Sequence, residues 1–408
     1  MSIQLVDEGY ARRDAVVSSF FRQEAAALAD VCRVLAGRFA RGGRILAFGT
    51  GAAATDAQHV SVEFVHPVIV GKKALPALAL PNDIATQSGP NAQDPAGAFA
   101  RQLAVIGRPD DIAMGMVHGG RADGSEAVRA ALKEGAAIGM ATLSLGGIDG
   151  PPESDYSFAV DADDPFIVQE VHETLYHVVW ELVHVFFEHK GLLADRRAER
   201  SHDTGGSGWL YPFLAEAEND VRSVLDEVGA SIVQKADDVN ALRARSKDAP
   251  GLLETARLIA ERVRAGGQVL ALGNGGSATD AQDLVGDLMA PPPGLAPIPA
   301  LALTNDAAVV TAVSNDVGFD NVFARQVIAH GSEGDIAIAI STSGSSRNVV
   351  VAMEEARRRG LLTVALAGYG GGRLAELCDR AHVVDADYIP RIQEAQATQY
   401  HLLRRLLG

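Results

Sequence analysis

Cysteine is nearly absent from this chain: Cys32 and Cys378 are the two in 408 residues. They are too few for a disulfide framework or a cysteine metal cage, so a reducing cytoplasm is the expected compartment. Long apolar runs are missing as well. No stretch approaches the ~20 apolar residues of a bilayer span, and the first 30 residues carry charges throughout, with no apolar signal core. No membrane partner is expected. Positive charge is also short, with 36 Lys and Arg against 52 Asp and Glu and a formal net charge of -16. Phosphate backbones reward basic surfaces, which argues against nucleic acid as the main partner. The remainder is a 47% hydrophobic chain, long enough for two domains of about 200 residues that each bury a core unaided.

What is present is repetition. ATDAQ occurs at Ala54 and again at Ala278, an offset of 224 residues. ARGGRILAFGTG from Ala40 matches RAGGQVLALGNG from Arg264, PALALPND from Pro76 matches PALALTND from Pro299, and FARQ recurs at Phe99 and Phe323. Near the two ends VQEVHETLYH from Val168 aligns with IQEAQATQYH from Ile392. The register stays near 224 throughout, which makes the chain a tandem duplication in which function is read from what each copy kept.

Between the copies, LLADRRAERSHDTGGSGWLYP is rich in charge and glycine and carries Pro212, marking a linker. The expected domains are 1–190 and 209–408, with the linker at 191–208. In the second copy QVLALG, IPALAL, DIAIAI, LTVALA and AHVVDA read as near-continuous apolar strands alternating with helices. That pattern predicts an α/β sandwich of three layers in each copy, a five-stranded parallel sheet flanked by helices. Ligands in such sheets bind where the loops leave the carboxyl ends of the strands.

Two loops of the second copy lie at such ends. STSGSSRN supplies Ser341, Thr342, Ser343 and Ser346 around Gly344 ahead of a helix, and GNGGSATD supplies Ser277 at the start of another. Hydroxyls and free helix-end amides together make a phosphate cradle. Either loop alone reads equally well as a turn with caps; the pair in a parallel frame does not. Gly273, Gly275 and Ala278 mimic a dinucleotide fingerprint, but the acidic residue expected about 20 positions onward is missing, so no nucleotide cofactor is expected. In the first copy Ala53 replaces Ser277 and the second loop reads VHGGRADGS. Its hydroxyl cradle is degenerate, leaving His118 and Arg121 as groups that could meet an anion.

With GNGGS, the SNDxGFxxxFxRQ segment from Ser314, STSGxSxN and the IPRIQExxxxxxH stretch from Ile389, the chain resembles the sugar isomerase (SIS) family, in particular its phosphoheptose isomerase branch. The resemblance covers both halves. It implies that Ser277, Ser341, Ser343 and Ser346 bind a sugar phosphate.

In the first copy His59 and Glu63 share one helix face, while Gln169 and His177 lie eight apart on the last helix. Taken alone, a His/Glu pair at this spacing is commonly a solvated pair. The resemblance implies more: these four positions match the zinc ligands of zinc-containing members, and Glu63 and His177 match the acid-base residues. The second copy has Asp283, Asp287, Gln393 and His401 there, a vestigial set, since an aspartate is one methylene shorter than a glutamate and a displacement near 1 Å costs about a hundredfold in rate. His172, His184 and His189 read as packing or surface histidines.

The first copy thus keeps the metal and acid-base set and the second the phosphate loops. The resemblance implies an aldose-ketose isomerase of a phosphorylated sugar, by analogy sedoheptulose 7-phosphate, with zinc as cofactor. It also implies a homodimer forming a pseudo-tetramer, with sites assembled from unlike halves. A noncatalytic phosphosugar-binding regulator and a protein-binding scaffold of the same fold are the alternatives; retention of the first-copy set favours the enzyme.

Overall fold

The computed structural model describes residues 2–69, 71–119, 125–188 and 221–408. The expected linker at 191–208, Arg121 and His189 lie outside them.

Both copies build the expected sheet. The first comprises β1 (Ile45–Gly49), β2 (Ala77–Ala79), β3 (Ile112–Met116), β4 (Ala141–Gly146) and β5 (Tyr156–Ala159), in the order β2-β1-β3-β4-β5. The second comprises β6 (Val269–Leu272), β7 (Ala300–Ala302), β8 (Ile336–Ser341), β9 (Leu362–Gly368) and β10 (Arg380–Val384), in the order β10-β9-β8-β6-β7. Every pairing is parallel. The register repeats with the sequence: Ile45 faces Ile112 as Val269 faces Ile336.

Strands β1, β3 and β6 are apolar throughout, and β8 as far as Ser341, because helices cover both faces. Alternate residues feed different cores, as a two-residue period requires. Ile45 and Ala47 pack in one cluster of the first sheet, Leu46 and Phe48 in another. Val269 and Ala271, then Leu270 and Leu272, divide likewise in the second. Polar clamps repeat too, with Asp111, Asp335, Thr142 and Thr363 buried. Asp111 accepts from the Arg44 backbone N–H and Asp335 from that of Gln268, each at 2.9 Å. Asp155 accepts from the Thr142 N–H as Asp379 does from Thr363, again at 2.9 Å. A side chain removed from water needs such a partner, so these bonds hold the strand ends of each copy in the same way.

Two compact units are present, Ala15–Asp237 and Met1–Asp14 with Asp238–Gly408. They do not follow the chain linearly. In the long helix Ile3–Ala40, Val6 and Tyr10 belong to a core of the second-copy unit. In the helix Val221–Ser246, Val224, Val228, Ile232 and Ala236 belong to the core of the first-copy unit. Among the described residues no helix is long and apolar enough to cross a membrane.

The order of each sheet reverses between its first and third strands, β1 and β3 or β6 and β8. The loops leaving such a pair diverge and open a crevice, which is where ligands of open α/β sheets sit. The glycine loops and the serine loop emerge here.

Candidate functional site

The second-copy crevice is built from glycine conformations that other residues resist. Gly275, with φ 56° and ψ -126°, caps the helix Gly276–Met289 and turns the chain straight from β6 into it. Buried Ser277 rides on the first turn of that helix. After β8, Gly344 takes φ +60°, and a Cβ there would lie 2.2 Å from the Gly371 carbonyl oxygen. The serine loop is therefore pressed against a neighbouring loop, and the Leu374 N–H donates to the Gly344 carbonyl at 2.9 Å.

The hydroxyls cluster. The Ser341 and Ser343 oxygens lie 3.5 Å apart, those of Ser343 and Ser346 3.2 Å, and the Ser345 N–H donates to Ser343 at 3.2 Å. Ser346 caps the helix Arg347–Arg358, whose first-turn amides have no intrahelical acceptors. Side chains of Asn274 and Asn348 exchange two hydrogen bonds, 2.9 and 2.8 Å, and tie the two loops together. Donors converging on one place suit a phosphate monoester. Thr342 is half-buried beside them, and its carbonyl faces Gly368, where a Cβ would approach to 2.2 Å.

In the first-copy unit the helix Ala52–Val65 and the buried helix Pro165–Glu188 bring a titratable set together. His59 and His177 meet with Nε2 atoms 3.3 Å apart, and Glu63 Oε1 lies 3.9 Å from His59 Nε2. Both imidazoles are buried. Burial first, and then the neighbouring His177, holds the His59 imidazole well below its ordinary pKa. Two imidazole nitrogens this close can share one proton or one cation, since charging both would set like charges side by side. Glu173, one helical turn before His177, completes a group whose ligand atoms with His59 and His177 lie within 4.8 Å of one another.

The Gln169 side-chain N–H donates to Asp56 Oδ1 at 3.5 Å. Asp56 also holds His118 Nε2 at 2.6 Å, and His172 lies beside them. Of the expected packing histidines, His184 bridges the Trp180 and Lys73 carbonyls at 2.8 and 3.0 Å. His172 instead joins a polar group. Asp56, His118 and Glu173 were not singled out from the sequence as members of these groups. The i, i+4 spacing of Glu173 and His177 was a usable signal; the pairing of Asp56 with His118 spans 62 residues and left none.

The second-copy counterpart is also assembled. His401 Nε2 lies 3.3 Å from Asp283 Oδ2 and 3.7 Å from Asp287 Oδ2, all three buried. The Tyr400 hydroxyl donates to Asp283 at 3.1 Å and the Arg404 Nε–H to the Asp287 carbonyl at 2.8 Å. Gln393 is buried on the same helix, Ile389–Leu407.

The SIS domain family matches this chain at residues 10–147 and again at 236–368. The chain belongs to the SIS domain family. Curated relatives match over the length of one copy. A phosphoheptose isomerase of Rhodospirillum rubrum is 46% identical over 156 residues, 38% of this chain and 83% of the relative. One of a Geobacter species is 38% identical over 181 residues, 44% of this chain and 93% of the relative. Over its full length the chain has the fold of a tagatose-6-phosphate ketose/aldose isomerase from Escherichia coli, with a TM-score of 0.53 at 12% identity, covering 100% of this chain and 95% of that one.

Proposed function

We propose that this protein is a phosphosugar aldose-ketose isomerase, with sedoheptulose 7-phosphate as the candidate substrate, working as a homo-oligomer in the cytoplasm. The observation that carries the reading is the division of chemistry between the copies. The second holds a converging hydroxyl cradle on two clamped loops, and the first holds two buried imidazoles 3.3 Å apart with carboxylates beside them. Turnover then needs residues of both copies. Named relatives that match one copy at 46% and 38% identity point to the same substrate class.

Ser277, Ser341, Ser343 and Ser346 hold the phosphate and fix the sugar chain relative to it. The Glu63 carboxylate takes a proton from the hydroxymethyl carbon next to the ketone and delivers it to the former ketone carbon, leaving an aldehyde. His177 passes the hydroxyl proton between the two oxygens of the enediol. Such positioned proton transfers contribute about 10²–10⁴-fold each.

The donor set fits a divalent cation, since two buried imidazole nitrogens and carboxylate oxygens are the ligands zinc prefers. His59, His177 and the carboxylates of Glu63 and Glu173 would hold it. Zinc there would polarise the sugar carbonyl. The test is a ³¹P and ¹³C NMR time course with sedoheptulose 7-phosphate in D₂O. Interconversion with deuterium entering the carbon skeleton is expected. Binding without exchange would favour a regulator, and absence of binding would discard the substrate class.

A further inference from the structure

In the first copy, the place that corresponds to the second copy's serine loop holds a different kind of chemistry. At the constant offset of 224, Asp56, His118 and His172 stand where the second copy has Asp280, Thr342 and Gln396. Two of the three positions carry imidazoles in one copy and neither does in the other. All three first-copy side chains are buried, with His172 fully so. Their ligand atoms lie within 4.8 Å of one another. His118 Nε2 is 2.6 Å from Asp56 Oδ2, and the His118 and His172 rings are 5.4 Å apart between centroids.

The pair Asp56 and His118 is explained by its own hydrogen bond. His172 is not. Neither of its ring nitrogens makes a hydrogen bond of ordinary geometry, and the Gly146 backbone beside the ring supplies only a weaker contact. Buried polar groups of native proteins are satisfied as a rule, so an imidazole left this way marks a missing partner. Zinc bonds of about 2.0–2.1 Å at tetrahedral angles place ligand atoms roughly 3.3 Å apart. The Asp56 and His118 contact of 2.6 Å needs to open by less than 1 Å to meet that spacing.

We propose that Asp56, His118 and His172 form a second metal site of the first copy, separate from the His59 and His177 group and binding a borderline divalent ion such as zinc or cobalt. Gln169, donating to the other oxygen of Asp56 at 3.5 Å, orients the carboxylate as an outer partner. Three protein ligands leave a coordination position open, the arrangement of sites that take an exogenous oxygen ligand. The duplication has thereby turned an anion cradle into a cation site at the same end of the sheet. The proposal does not depend on the chain's isomerase activity.

The test uses the full-length protein stripped of metal and titrated with Co²⁺, followed by calorimetry and by visible absorption, which reports coordination number. The variants are His118→Thr and His172→Gln, which install the second copy's residues, and His59→Ala/His177→Ala, which removes the neighbouring group. In the His59→Ala/His177→Ala background one tight equivalent should remain, with the intense absorption of a four-coordinate site. Adding His118→Thr should abolish it or weaken it at least 100-fold. Should the double-alanine background not fold, His118→Thr in the otherwise unchanged chain should lower the stoichiometry by one equivalent. A stoichiometry and spectrum indifferent to both His118→Thr and His172→Gln would overturn the proposal, as would a wild-type protein that binds no cobalt beyond the His59 and His177 equivalent.

Discussion

Asn274 and Asn348 exchange two side-chain hydrogen bonds, 2.9 and 2.8 Å, across the 74 residues that separate their loops. One belongs to the glycine loop after β6, the other to the first turn of the helix after β8, so the clamp sets the distance between the two halves of the hydroxyl cradle. Asn348 is buried and also accepts from the Val349 N–H at 3.0 Å. Asn348→Ala removes both of these bonds from the Asn274 amide, and Asn274→Ala takes the acceptor from the Asn348 side-chain N–H in a partly buried place. Each single variant should lose about 1–2 kcal/mol of phosphosugar affinity, roughly 5- to 30-fold. The double variant should lose scarcely more than either single one, because the two act as a unit. Calorimetric titration checks this; additive losses would mean that the clamp does not couple the loops.

The cradle itself predicts a steeper loss. Ser343 lies between Ser341 and Ser346, 3.5 and 3.2 Å from them. Ser343→Ala/Ser346→Ala removes two hydroxyl donors and should weaken phosphosugar binding by about 2–4 kcal/mol, since hydrogen bonds to a charged phosphate are the strong ones. Inorganic phosphate should lose affinity in parallel, which separates the cradle from contacts to the sugar. An unchanged dissociation constant for both ligands would remove the serine loop from the site.

These two predictions differ in how far the sequence anticipated them. The strands and glycine loops were legible because the duplication printed each of them twice, and because apolar runs between helices have few other folds. The serines were legible as a local cluster. The Asn274 and Asn348 clamp was not, although both residues stand inside the GNGGS and STSGxSxN motifs, because their meeting depends on β6 and β8 being neighbours. The same holds for Asp56 and His118, joined across β1 and β3. The division into compact units escaped as well: Ile3–Ala40 is one unbroken helix, and nothing in its local pattern marks Asp14 as the place where its residues change core.

A pH prediction rests on His382, on β10 of the second copy. Its Nε2 lies 2.9 Å from the Thr255 hydroxyl, and burial, assisted by Arg380 and opposed by Asp248, pulls its pKa down to about 4 from the ordinary 6.5. Between those values the unfolded chain binds a proton that the folded chain refuses, so stability rises with pH there. The contribution is complete above about pH 6.5 and is lost as pH falls toward 4, on the order of 3 kcal/mol at most. His382→Gln keeps a hydrogen-bonding group without the titration. Chemical denaturation at several pH values should show a shallower acid loss in the variant than in the parent. Parallel curves would show that His382 is not held neutral.

The last prediction separates the two copies as sources of acid-base chemistry. Glu63 stands 3.9 Å from His59, which meets His177 at 3.3 Å, whereas Asp287 stands 3.7 Å from His401 and shares that imidazole with Asp283. Both carboxylates are therefore beside a buried histidine, and geometry alone does not rank them. Length does: a glutamate reaches one methylene further from its helix, and the first-copy group has two imidazoles where the second has one. Glu63→Gln preserves size and removes the base, so isomerisation should fall by about two to four orders of magnitude with phosphosugar affinity little changed. Asp287→Asn should lower turnover less than tenfold while the melting temperature reports any loss of packing. Both variants would be assayed by NMR with the same phosphosugar at saturating concentration. A fully active Glu63→Gln beside an inactive, folded Asp287→Asn would transfer the chemistry to the second copy and leave the first copy's histidines to metal binding alone.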